Sequence, residues 1–85
     1  METRYRVFDN EDKDLYVAVL SHYFKLSDAK QVFRESKVDE TKDDSIMFEI
    51  AKNGESEIVG TLTFGVDEAE RFALAMLNLC HSIKY

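Results

Sequence analysis

With 85 residues, 45% of them apolar and 12% aromatic, the chain has material for one hydrophobic core and too much of it for a disordered segment. Seventeen acidic side chains against eleven basic ones leave a net charge of −6 at pH 7, which disfavours a surface built to neutralise phosphates. No proline, three glycines and one cysteine exclude long irregular loops and an intramolecular disulfide.

The N-terminus lacks a signal-peptide pattern, so a reducing, cytoplasmic setting is the expectation for the free thiol. No apolar run approaches the roughly 20 residues a membrane span needs.

In chain order, Thr3–Phe8 (TRYRVF) alternates strand formers and reads as a first strand. Asp9–Asp14 (DNEDKD) is a polar turn. Leu15–Phe24 is long and apolar enough for a buried helix, with Asp12 or Asp14 to cap it. Its β-branched and aromatic side chains, Tyr16, Val17, Val19, Tyr23 and Phe24, favour a second strand, which is the reading taken. Leu26–Ser36 opens with Ser27 as N-cap and sets Ala29, Val32, Phe33 and Ser36 on one face of a short helix. A charged loop follows over Val38–Asp44. Ile46–Ala51 and Glu57–Phe64 flank Asn53-Gly54, a pair that tolerates the positive φ of a tight hairpin turn.

Asp67–Tyr85 closes the chain as a five-turn helix. Asp67 is placed to cap it, with Glu70 three residues on and Lys84 in the last turn, as the helix dipole prefers. Ala69, Phe72, Ala73, Met76, Leu79, Cys80 and Ile83 form one apolar stripe at spacings of three and four. A core helix needs no more than that. Leu74, Leu77, His81 and Tyr85 form a second stripe rotated away from the first. It is read either as the margin of a broad core contact or as a partner surface.

The order is ββα followed by ββα, and the halves correspond. YRVFDNEDKDLYVAVL parallels MFEIAKNGESEIVGTL, and LSDAKQVF parallels VDEAERFA. The expectation is a single α+β domain over residues 1–85, with repeat halves 3–37 and 45–85. Four antiparallel strands would carry both helices packed on one face. The strands are apolar on both faces, so one such face would need a homodimer or another protein to cover it.

Chemistry-bearing residues are sparse. Adjacent Cys80 and His81 project about 100° apart on a helix and cannot readily share a metal. Cys80, on the core stripe, reads as a small hydrophobe. His22 has no Cys, Asp or Glu at ligand spacing. Neither acidic turn follows the EF-hand pattern, and the scattered glycines make no phosphate loop. No catalytic, cofactor or metal residues are therefore assigned.

A short acidic ββα-type chain of this kind resembles, in general character, the small accessory and inhibitor proteins of phages and mobile elements. The expected function is a non-enzymatic protein-binding module, an inhibitor or adaptor that forms a homodimer. Its contact residues would be Leu74, Leu77, His81 and Tyr85, with Tyr16 and Phe8 from the sheet. Two rivals stand beside it. One is a nucleic-acid role, as an acidic DNA mimic or a binder through Arg4 and Arg6. The other is a small enzyme using a carboxylate–histidine site at His22 or His81.

Overall fold

The structure, a computed structural model, describes residues 5–39 and 41–85. The elements are β1 (Tyr5–Phe8), β2 (Leu15–Ser21), α1 (Leu26–Asp39), β3 (Ile46–Lys52), β4 (Ile58–Phe64) and α2 (Val66–Lys84). The four strands form one antiparallel sheet in the order β1-β2-β3-β4, an α+β arrangement of ββαββα type. Thr3 and Arg4, assigned to the first strand from sequence, lie outside the described residues.

Leu15–Ser21 is a strand, as its Val17 and Val19 demand, and it is central in the sheet. It pairs with β1 through Tyr5↔Val19 to Phe8↔Tyr16 and with β3 through Leu15↔Lys52 to Ser21↔Ile46. The strand stops three residues short of Phe24. Ser21 Oγ donates to the carbonyl of Tyr23 at 2.9 Å, and the chain bends there toward α1. α1 begins at Leu26, so Ser27 lies within its first turn, and the helix runs on three residues past Ser36.

The Asn53-Gly54 turn is present but is not a two-residue hairpin. Gly54 adopts φ +86°, and Glu55 N–H donates to the carbonyl of Lys52 at 3.2 Å. Strand pairing nevertheless stops at Ala51↔Ile58, which leaves a longer loop. One step earlier Ile50 faces Gly60, so Val59 is an extra residue in β4, a bulge. The loop is held from outside: Asn53 N–H donates to the carbonyl of Asp14 at 2.7 Å, and Lys52 pairs with Asp12 at 3.3 Å.

Alternation places Tyr16, Ala18 and Ala51 on one sheet face, where they form the buried cluster with Leu20 against it. Ala18 is fully buried. The other face carries Tyr5, Val7, Val17, Val19, Phe48, Ile50 and Leu62, and it is open: Leu62 is 60% exposed and Tyr5 69%.

α2 departs from the core helix the sequence led us to expect. None of its residues is buried. Its ring contact with the sheet, Phe72 against Phe48 at 5.7 Å between centroids, falls on the face opposite Ala18 and Ala51. α2 therefore buries no apolar stripe against the sheet. The result is an open molecule. Its radius of gyration is 14.9 Å, where a compact chain of this length has about 12 Å.

Candidate interaction surface

The surface begins with the entry to α2. Gly65, in extended backbone, is the N-cap residue and supplies no side chain to the orphan N–H groups. Asp43 does so from the loop before β3. Its Oδ2 accepts from Val66 N–H at 2.9 Å, and its Oδ1 accepts from Ser45 N–H at 3.0 Å. A Cβ at position 65 would sit 3.1 Å from Asp43, so the close approach favours glycine. Asp67, assigned as the cap from sequence, is one turn-position inside the helix and pairs with Lys37 of α1. Glu68 pairs with Arg71. The first turn of α2 is thus fixed to the body by one carboxylate and one ion pair.

Beyond Phe72 none of the described residues covers the helix. Every residue from Arg71 to Tyr85 is exposed. The stripe of Leu74, Leu77, His81 and Tyr85 is where the sequence placed it: with Cys80 it lines a shallow groove of about 550 Å³ along the helix. Leu77 is 64% exposed and Tyr85 89%, and the His81 and Tyr85 rings lie 4.8 Å apart. The other stripe, Phe72, Met76, Leu79 and Ile83, is just as open. Cys80, read as a buried small hydrophobe, is exposed too.

The two sheet residues of the expected surface separate. Phe8 is half exposed, whereas Tyr16 is 9% exposed and belongs to the core cluster. Phe8 packs on it at 5.4 Å and the Arg6 guanidinium lies over its ring at 5.2 Å, which explains the burial. The opposite sheet face, which the sequence already led us to expect would need a cover, carries a second feature. Phe48, Leu62, Phe64 and Phe72, with Glu68 beside them, line a largely apolar depression of about 340 Å³ where α2 leaves the sheet. Phe48 and Phe64 meet edge to face at 5.0 Å. The alternation in each strand shows which residues share this face, but not that it is left bare.

The chain matches no known protein family, no curated protein and no solved structure.

The histidine and acidic clusters have structural work. His22 N–H donates to the carbonyl of Ser45 at 2.8 Å, and its Nδ1 lies 2.8 Å from the Asp44 carbonyl and 3.5 Å from that residue's carboxylate. Tyr23 Oη donates to Asp44 Oδ1 at 2.6 Å, a bond that raises the phenol pKa because ionisation would set two anions together. These contacts clip the loop before β3 to the end of β2. In the first turn, Asp9 Oδ2 accepts from the N–H groups of Glu11 and Asp12. Asp12 Oδ1 accepts from Asp14 N–H at 3.2 Å. The backbone bond from Asp14, then Lys52, holds the Asp12 carboxyl below its usual range. Among the described residues, no three His, Cys, Asp or Glu side chains converge as metal ligands would.

Proposed function

We propose that this chain is a protein-binding module without chemistry of its own, an adaptor or inhibitor that acts by contact through α2. The observation that carries this reading is a helix of 19 residues that buries none of them. It nevertheless presents Leu74, Leu77 and Tyr85 in one stripe. Helices draw most of their stability from a buried apolar face. An aromatic and aliphatic stripe with few charges is also the composition of an interface centre. The partner is a protein that offers an apolar groove to this stripe. Exposed Cys80 fits a reducing compartment, and we place the module's action in the cytoplasm.

The nucleic-acid reading draws less support. Lys37, Lys52 and Arg71 are each paired with a carboxylate, and Arg6 is stacked on Tyr16, so no open basic track is assembled from them. The His22–Asp44 pair comes nearest to an enzyme-like constellation. Its bonds to backbone carbonyls on both sides account for it as a loop fastening.

The test is affinity capture from native lysate with the tagged full chain, read by mass spectrometry. One stoichiometric partner is expected. Leu74→Glu with Tyr85→Glu should abolish its capture while the circular dichroism spectrum stays unchanged. Capture unaffected by the double substitution would remove the stripe from the proposal.

A further inference from the structure

The chain carries two open apolar surfaces of similar span. One is the Phe72, Met76, Leu79, Ile83 stripe of α2; the other is the sheet face of Val7, Val17, Val19, Phe48, Ile50 and Leu62. Within one molecule they meet around Phe72, which packs on Phe48 and shares a depression with Leu62 and Phe64, before the exposed remainder of the helix. We propose that a second copy of this chain completes the fold: two molecules exchange α2, each laying the Met76–Ile83 half of its helix across the open sheet face of the other.

Four observations lead to a second copy. The first is area. The chain exposes 7,075 Å², whereas a folded monomer of its mass exposes about 5,200 Å². The excess of about 1,900 Å² per copy falls, for a pair, within the range of about 2,000–5,000 Å² that obligate dimers bury. The second is fit. From Phe72 to Ile83 the helix rises about 17 Å, and four strands span about 14 Å from the first to the last.

The third is charge. Each copy carries −6, yet Phe72–Tyr85 contains no acidic residue and none of the named sheet residues is charged. Two acidic molecules can therefore meet here with few carboxylates in the contact, Asp9 and Glu68 being the acidic residues that line this face. The fourth is symmetry. An isologous pair covers the helix and the sheet of both copies in one step. The stripe of Leu74, Leu77, His81 and Tyr85 stays on the outside. It remains free for the partner proposed above, and that reading survives or fails independently of this one.

Light scattering on the purified full chain at micromolar concentration decides it. The expected mass is about 20 kDa, against 9.9 kDa for one chain. Met76→Lys alone and Leu62→Glu alone should each weaken the dimer roughly a hundredfold. Mixed together, the two variants should recover it, because one crossing then joins unlike charges and the other is native. A wild-type mass of 9.9 kDa would overturn the proposal. So would a dimer indifferent to Leu62→Glu, which would mean helix against helix, or a mixture that fails to reassociate. The wild-type mass is decisive even if a variant does not fold. Sensitivity of partner capture to Leu74 and Tyr85 tests the other reading separately.

Discussion

Asp43 holds the entry to α2, and its loss should be felt at both ends of that contact. Asp43→Ala removes the acceptor for Val66 N–H and Ser45 N–H, and a lost cap costs about 1 kcal/mol. Urea titration of the variant should show that decrease in stability. Asp67→Ala should cost clearly less than Asp43→Ala, since it breaks an exposed ion pair. The carboxylates of Asp12 and Asp67 are both held below the usual range, for different first reasons: the Asp14 N–H for Asp12, the Lys37 ammonium for Asp67. Each contributes stability above the unfolded carboxylate pKa of about 3.9 and loses it as pH falls through the lower folded value. Carbon-detected NMR titration should find that Lys37→Met returns Asp67 to ordinary behaviour. Lys52→Met should leave Asp12 still depressed. At this scale the sequence was a partial guide. It placed an acidic cap near residue 67 because capping rules are local. The true acceptor sits 23 positions upstream, and only the folded chain brings it to Val66.

At the scale of elements, β2 and α2 were ambiguous for opposite reasons. Leu15–Phe24 has the length of a helix and the branching of a strand, and pairing with β1 and β3 on both sides decides it. α2 was legible as a helix with two apolar stripes, but periodicity states only that a face is apolar. It does not say whose surface covers it. Among the described residues of the single chain, none does. Leu79→Ala in the dissociated chain should therefore change stability by less than about 0.5 kcal/mol, where a core leucine would cost about 2–5 kcal/mol. Ala18→Leu, in the fully buried centre of the sheet, should cost about 1–3 kcal/mol through overpacking. Denaturation of both variants at low protein concentration checks the contrast.

For the whole molecule, ββαββα order and a four-stranded antiparallel sheet were readable from the alternation of strands and turns. The openness was legible only in the sheet, whose strands are apolar on both faces; that α2 would also stand bare was not, because composition counts apolar residues without assigning them a cover. In the proposed dimer, a small core and a large exposed area tie stability to association. The melting temperature should accordingly rise with protein concentration in calorimetry, as it does when binding is confined to the folded state. A sheet with two free edges has a further exposure of its own. β1 offers only four residues to a foreign strand, whereas β4 offers seven, Ile58–Phe64, with Val59, Leu62 and Phe64 among them. The extra residue at Val59 breaks the ladder near one end of that edge. A bulge there leaves a shorter regular template for a stray strand to copy.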